Sequence, residues 1–229
     1  MKPCPAPSSA TPIAGPPPLA SVQAHPGYAR VFQADRLTFG LIAPLEGYPD
    51  APWPTLERHL EAARQVDATD MTAIWLRDVP FYDPSFGDTG QVVDPMVYAG
   101  WLAAQTRRIA IGRAGQDFDW LGRNTDGWIW HLSNPNRLAA VIADWRSGRD
   151  GSFRPYGYGT MFDLSTDPDA PLQIGGAGMR GGRKAPVQHW LRQRDEGVNH
   201  VTLNMKPLRR PFSEAIDELA EHVLPVFSV

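Results

Sequence analysis

The sequence RIAIGRAGQDFDWLGRNTDGWIWHL at residues 108–132 contains three predicted elements side by side. Its first apolar run, at 109–111, predicts a strand that ends at Gly112. Apolar residues then recur at helical spacing over 116–123, which predicts a short helix. The turn-forming letters NTDG break that helix, and the aromatic run at 128–130 predicts a second strand. The stretch is therefore a strand, a helix and a strand in immediate succession.

The turn at Gly112 has two interpretations. A strand that passes through glycine into a helix start leaves backbone N–H groups free, and these together with the helix dipole favour an anion such as phosphate. Arg113 adds a full positive charge at the same point. The other interpretation is that Gly112 and Gly115 only permit a tight turn. The residues alone leave both interpretations open.

Composition restricts the class of protein. The chain has 229 residues, 42% of them hydrophobic, which is enough for one α/β domain with a substantial core. A net charge of -3 argues against a nucleic-acid partner or an anionic membrane partner. The single cysteine, Cys4, allows neither an intrachain disulfide nor a cysteine-based metal cage, which fits a reducing cytoplasm. Residues 1–28, rich in Pro, Ala and Ser, are expected to form a flexible tail before one domain at 29–229.

Strand and helix patterns alternate along the rest of the chain. Further strands are predicted at 37–43, 71–76, 159–164 and 200–204. Further helices are predicted at 55–66, 96–106, 138–145, 186–194 and 212–223, with loops at 80–94 and 165–182. This alternation predicts an α/β fold of about six parallel βα units with right-handed crossovers.

Local signals refine two of these helices. Thr55 is the expected N-cap of the helix at 55–66. The spacing of apolar residues in this helix assigns Leu56, Leu60, Ala63 and Val66 to the core. Asp94 is the expected N-cap of the helix at 96–106, with Pro95 in its first turn. Helical spacing also assigns Val97, Trp101, Leu102 and Ala104 to the core.

Four long segments resemble the luciferase-like monooxygenases, the flavin- or deazaflavin-dependent group that includes bacterial luciferase. The segments are HPGYARVFQADRLTFGLIAPLE at 25–46, AIWLRDVPFYDPSFGDTGQVVDPMVYAGWLAAQTRRIAIG at 73–112, GRAGQDFDWLGRNTDGWIWH at 112–131 and GVNHVTLNMKPLRRP at 197–211. The resemblance implies a (β/α)8 barrel that carries its flavin at the C-terminal ends of the strands.

The chain departs from that family in one respect. RRIAIG resembles the family's third strand, whereas the sequence from Gly112 onward resembles the turn, helix and strand that follow its fifth. Compared with the family, two βα units, including the fourth strand, are therefore expected to be missing from this chain. The expected fold is a TIM-barrel-like, luciferase-like fold truncated to about six βα units, as an incomplete or open barrel. Open strand edges favour a homodimer.

The resemblance also implies site residues. The cofactor phosphate would be held by the turn of Gly112, Arg113, Ala114, Gly115 and Gln116. Trp130 would pack against the isoalloxazine ring, and His131 would donate a hydrogen bond or a proton, or be only a structural hydrogen-bonding residue. Arg77 and Asp78 would contact substrate or cofactor, or form only a strand-end ion pair.

Five later basic residues are weaker candidates for phosphate or carboxylate contacts, and each is equally compatible with a solvated loop. They are Arg180, Arg183, Lys206, Arg209 and Arg210. The histidines show no metal-ligand spacing, and neither a GxSxG elbow nor a P-loop is present, so no metal, hydrolase or nucleotide-hydrolysis site is predicted.

The function implied by the resemblance is an oxidoreductase or monooxygenase acting on a small organic substrate. Its cofactor would be FMN, with the deazaflavin F420 as the alternative, and a flavin reductase would supply the reduced form. The competing hypothesis is a catalytically impaired, truncated homologue that serves as a binding or assembly module or is a non-functional remnant. The missing fourth strand motivates that alternative.

Overall fold

The computed structural model describes residues 23–77, 93–114, 127–131, 137–147, 153–175 and 178–228. Within them the strands are β1 (Thr38–Ile42), β2 (Ala73–Arg77), β3 (Ala110–Ala114), β4 (Trp128–His131), β5 (Tyr156–Leu164), β6 (Gln173–Gly175), β7 (Gly178–Gly181) and β8 (His200–Asn204). The α-helices are α1 (Pro26–Val31), α2 (His59–Asp67), α3 (Pro95–Gln105), α4 (Leu138–Ser147), α5 (Lys184–Asp195) and α6 (Phe212–His222). None of these helices is long and apolar enough to span a bilayer.

Six of the strands form one parallel arc in the order β3–β2–β1–β8–β5–β4. β7 pairs with the C-terminal half of β5, and β6 pairs antiparallel with β7 as a hairpin. The sheet is not closed, because within the described residues no pairing joins β3 to β4. The predicted barrel-like α/β fold with an open sheet is confirmed.

One face of the arc packs against helices and forms the apolar core. Phe39 of β1 lies with its ring centroid 5.0 Å from that of Trp190 in α5 and 5.0 Å from that of Phe227. Phe162 of β5 lies 5.6 Å from the same indole. Trp190 is fully buried, so it joins two strands of the sheet to α5. The other face of the arc is concave.

Three glycines lie on the concave face at positions where a neighbouring strand leaves no room for a side chain. A Cβ on Gly112 would lie 2.5 Å from the Trp75 ring, and a Cβ on Gly40 would lie 2.9 Å from His200 Nε2. A Cβ on Gly157 would lie 2.7 Å from the carbonyl oxygen of His200. An aromatic ring occupies the side-chain space at Gly112 and Gly40, and the backbone of the neighbouring strand occupies it at Gly157.

The first predicted strand of residues 108–132 differs from its prediction at Gly112. β3 does not end at Gly112 but continues to Ala114, paired with β2 through Trp75–Gly112, Leu76–Arg113 and Arg77–Ala114. The prediction of a turn at Gly112 is wrong, because this glycine makes room for an indole ring inside a strand. The second predicted strand is confirmed as β4, and the predicted helix at 116–123 lies outside the described residues.

Helix α2 begins at His59, four residues later than predicted. Leu56 has a φ of 59°, a left-handed conformation that cannot belong to an α-helix, so Thr55 does not cap α2. The backbone N–H groups of Thr55 and Leu56 instead donate to the carboxylate of Glu46. Leu60 is exposed rather than in the core, since the buried face of this helix is formed by His59, Ala62, Ala63 and Val66.

Helix α3 confirms the predicted cap. The Asp94 carboxylate accepts from the N–H groups of Met96 and Val97 at 2.9 and 3.0 Å, and Pro95 occupies the first turn. The predicted core face is confirmed at Leu102, which is buried, and wrong at Val97, which is 72% exposed. Trp101 is also partly exposed. Almost every residue of this helix is apolar, so spacing alone does not select its buried side.

The segment at 165–182, predicted as loop, contains the β6–β7 hairpin. Its glycine-rich sequence lacks the β-branched pattern of a strand, and its pairing is supplied by the long strand β5, which begins at Tyr156 rather than Gly159. The strand at His200–Asn204 is confirmed, as are α4, α5 and α6 within two residues of their predicted bounds.

Two glycine-to-alanine substitutions test the packing of the concave face. Gly112→Ala forces the Trp75 ring to move and is expected to lower the free energy of unfolding by about 1–3 kcal/mol. Gly100→Ala, in α3 with nothing within 4 Å of the added Cβ, is expected to raise it by about 0.5–1 kcal/mol. Urea denaturation of both variants measures the difference, and a change of the same sign in both contradicts this packing.

Candidate functional site

A buried polar cluster forms the floor of the concave face. His200 of β8 is fully buried, and its Nε2 atom accepts from the indole Nε1 of Trp75 at 2.9 Å. An indole nitrogen only donates, so the imidazole proton is on Nδ1 and is donated to Thr38 Oγ1 at 2.8 Å. The Thr38 hydroxyl in turn donates to the carbonyl of Val31 at 2.6 Å. The whole chain of donors and acceptors is satisfied.

Burial lowers the pKa of His200 to about 3. The imidazole is therefore neutral at pH 7 and holds its proton in one tautomer. The ring of Phe32 packs edge-on against it, with centroids 6.0 Å apart. A histidine in this state orients its neighbours and closes the floor against water, and it is not a proton donor at neutral pH.

Two further polar residues of β8 lie on the same face, nearer the C-terminal ends of the strands. Side chains alternate along a strand, so Thr202 and Asn204 share the face of His200. Thr202 is 1% exposed, and its hydroxyl has no hydrogen-bond partner in the described part of the chain. Asn204 Oδ1 accepts from the N–H of Lys206 at 3.0 Å, and the Lys206 ammonium lies 5.4 Å from the ring centroid of Tyr48.

The end of β5 adds an ion pair to this edge. Asp163 is buried, and its carboxylate lies 3.1 Å from Nε of Arg180, whose side chain is 57% exposed. The two residues face each other in the β5–β7 register. Arg180, predicted from sequence as an anion contact, therefore has an internal counterion and presents the solvent side of its guanidinium at the C-terminal edge.

The structure brings one group of predicted site residues together. Arg77 ends β2, and its backbone pairs with that of Ala114 at the end of β3. Gly112 and Arg113 precede Ala114 in the same strand, so the predicted phosphate segment and the predicted substrate residue lie side by side. Three further predicted residues lie outside the described residues: Asp78, Gly115 and Gln116.

Trp130 and His131 lie on the other arm of the arc. In β4 their backbones pair with Tyr158 and Gly159 of β5. Four strands, β2, β1, β8 and β5, separate β4 from β3 in the sheet. Sheet pairing therefore does not join this predicted pair to the segment that ends at Ala114.

Three more of the late basic residues lie beside carboxylates. Arg183 and Arg210 both bind Glu218 of α6, Arg183 at 2.9 Å. Burial raises the pKa of the Glu218 carboxyl, but the two guanidiniums outweigh that effect and the pKa is lowered. Arg209 lies 3.8 Å from Asp50 at an exposed position. These contacts tie the loops after β7 and β8 to α6 and to the loop after β1.

Sequence reasoning missed the cluster of Thr38, Trp75, His200 and Thr202. Each residue lies in a predicted strand. The strands were therefore predicted, but the polar contacts between their inward-facing side chains were not. The available signal was the alternation His-x-Thr-x-Asn at 200–204, since polar residues at every second position of a fully buried strand indicate a polar interior.

A solved structure that matches this chain is an F420-dependent secondary alcohol dehydrogenase in complex with an F420–acetone adduct. The TM-score is 0.61 at 12% sequence identity, and the match covers 83% of this chain and 99% of that chain. No protein-family model and no curated protein matches the sequence. At this identity the likeness shows the fold, a mostly parallel, TIM-barrel-like α/β sheet.

The protonation of His200 gives a pH-dependent stability. The unfolded imidazole binds a proton below pH 6.5, whereas the folded one does so only near pH 3, so the unfolded state holds more protons between these values. Stability is therefore lost as the pH falls from about 6.5 toward 3, by up to about 1.4 kcal/mol per pH unit.

His200→Gln tests this dependence, because the amide oxygen retains an acceptor for Trp75 without titrating. Urea denaturation between pH 7 and pH 4 is expected to show a steeper loss in the wild type than in the variant. Equal slopes in the two proteins contradict a buried neutral His200.

Proposed function

We propose that the protein is a flavin- or deazaflavin-dependent oxidoreductase of the luciferase-like class that acts on a small organic substrate. The observation that carries the proposal is the likeness of the fold to an F420-dependent secondary alcohol dehydrogenase over 83% of this chain. That likeness favours a deazaflavin over the FMN that the sequence analysis placed first. The motif resemblance described above supports the same class of enzyme.

The proposed position of the flavin-type ring is the C-terminal half of the concave face. Thr202 has a hydroxyl that donates and accepts, is buried, and has no partner in the described residues. An unpaired buried hydroxyl costs about 1–3 kcal/mol, a cost that a bound polar group removes. The pyrimidine edge of a flavin or deazaflavin presents carbonyl and N–H groups of the kind that this hydroxyl binds.

The chain's own residues supply binding, orientation and exclusion of water. The bound cofactor supplies the hydride chemistry. The Trp75–His200 pair closes the floor below Thr202, because both rings are held by hydrogen bonds and glycines surround them. The Asp163–Arg180 pair lies at the mouth of the site, where the guanidinium is partly exposed and can orient a polar substrate group.

We propose the remaining cofactor and substrate contacts from the sequence resemblance. The cofactor phosphate is assigned to the end of β3 and the residues after it, where Arg113, Ala114, Gly115 and Gln116 lie. Gly112 stays a weaker proposed contact, since the Trp75 ring already accounts for its missing side chain. Contacts to ring or substrate are assigned to Trp130, His131, Arg77 and Asp78.

A second candidate function is a binding or assembly module without catalysis. The observation that favours it is the open sheet, whose outer strands β3 and β4 are not paired with each other in the described part of the chain. An unpaired strand edge is a surface for association with another chain, including a second copy. Saturable cofactor binding separates the two functions.

The proposed function predicts that the protein binds a deazaflavin saturably and that Thr202→Val weakens this binding about five- to tenfold, the loss expected for one hydrogen bond. The apoprotein variant is expected to be as stable as the wild type or more stable, because valine replaces an unpaired hydroxyl. Fluorescence titration with the deazaflavin and with FMN, together with urea denaturation, measures both effects.

Thr72→Val is the matched control. The Thr72 hydroxyl donates to the Phe39 carbonyl at 3.0 Å, at the N-terminal end of the strands. Its loss is expected to lower stability by about 1 kcal/mol and to leave cofactor affinity unchanged. The oxidoreductase proposal is abandoned if neither cofactor binds, and the role of Thr202 is abandoned if its valine variant binds like the wild type.

A further inference from the structure

A cavity of about 240 Å³ opens at the N-terminal ends of β1 and β2, away from the proposed cofactor site. Three arginines line it, Arg30 of α1, Arg36 before β1 and Arg108 before β3. Asp70 is the single carboxylate among its lining residues. Such an excess of guanidinium groups around one small space is characteristic of an anion site.

Two of these arginines lack a counterion. In the described ranges, neither Arg30 nor Arg36 has a carboxylate within 4.0 Å. Arg30 Nη2 donates to the Met71 carbonyl at 3.1 Å, and Arg36 Nη1 donates to the Gln33 side chain at 2.9 Å. The Nε–H groups of both are buried without a partner. Neither guanidinium therefore forms an ion pair within this part of the protein.

The third arginine is only weakly paired. Arg108 Nη2 lies 3.7 Å from Asp70, and both side chains are about half exposed. Asp67, the other nearby carboxylate, accepts backbone N–H groups from Arg107, Arg108 and Ile109. Burial, together with the charge of Arg108, lowers the pKa of Arg30 despite these two carboxylates. An anion between the two guanidiniums would relieve their repulsion.

A second cavity, of about 640 Å³, shares Arg30 and Arg108 with the first. It lies between α1 and the N-terminal half of β3, and its walls include the aromatic side chains of Tyr28, Phe32 and Trp75. Arginines beside an aromatic-lined space fit a ligand with one charged group and one apolar part.

We propose that this end of the molecule binds a small oxyanion carried on an aromatic or apolar body. The phosphate or carboxylate group lies between Arg30 and Arg108, and the body occupies the larger cavity. The arginine end of this site is distinct from the proposed cofactor site, since Arg108 precedes β3 whereas Thr202 lies toward the C-terminal end of β8. The larger cavity extends from the arginines to Trp75 and Gly112, on the opposite side of the Trp75–His200 floor from Thr202.

Isothermal titration calorimetry of the purified full chain with phenyl phosphate, benzoate, inorganic phosphate and benzyl alcohol tests the proposal. At least one of the two aromatic anions is expected to bind saturably, more tightly than inorganic phosphate and than benzyl alcohol. Arg108→Gln is expected to weaken that binding about tenfold, the loss of a charge-assisted contact. Arg194→Gln is the matched control, since within the described residues the Arg194 guanidinium pairs only with the adjacent Asp195, and this variant is expected to bind like the wild type.

The two aromatic anions also distinguish a phosphate from a carboxylate ligand. Failure of both to bind the wild type overturns the proposal, as does binding of benzyl alcohol at equal strength. Equal weakening in the Arg108 and Arg194 variants overturns the assignment to the arginine pair. The wild-type comparison needs no substitution, so a folding defect in a variant does not leave the proposal untested. Cofactor binding is a separate titration, and its failure leaves this result unchanged.

Discussion

The hydrogen bond from Trp75 to His200 passes over β1, because β2 and β8 are its two neighbours in the sheet. The two rings meet only since Gly40, in the strand between them, has no side chain. Gly112 leaves room for the Trp75 ring on its other side, and Gly157 lets its strand approach the backbone of His200. A polar contact thus spans two strand spacings across the concave face. Phe32, at the end of α1, packs against His200 below this contact, and Thr202 lies above it on β8.

This floor divides the concave face into two ends with different chemistry. Toward the N-terminal ends of the strands, arginines surround cavities beside α1. Toward the C-terminal ends, an unpaired hydroxyl and a carboxylate–guanidinium pair lie where barrels of this type carry their reactions. The arc is open, yet the floor joins β2, β1 and β8, which are its central strands. The half of the barrel that bears the polar cluster therefore does not depend on the pairing between β3 and β4.

The sequence predicted most of the elements because their apolar periodicity and caps are local properties. Asp94 with Pro95 placed the start of α3 correctly, and β8 was found at its full length. The failures were long-range. Gly112 was predicted as a turn because the ring that excludes a side chain there, that of Trp75, belongs to another strand. Leu56 delayed the start of a predicted helix, because its left-handed backbone conformation, with its N–H bound to Glu46, cannot belong to a helix. The polar cluster was missed because Thr38, Trp75 and His200 are far apart in sequence and each is unremarkable in its own strand.

The central claim, that the Trp75–His200 contact organises the concave face, is tested most directly by a double-mutant cycle in urea denaturation. Trp75→Phe leaves His200 Nε2 buried without a donor, and His200→Leu leaves the indole N–H without an acceptor. The double variant removes both groups together. We predict that the double variant loses less free energy of unfolding than the two single variants together, by about 1 kcal/mol or more. Additive losses would contradict a coupling between Trp75 and His200.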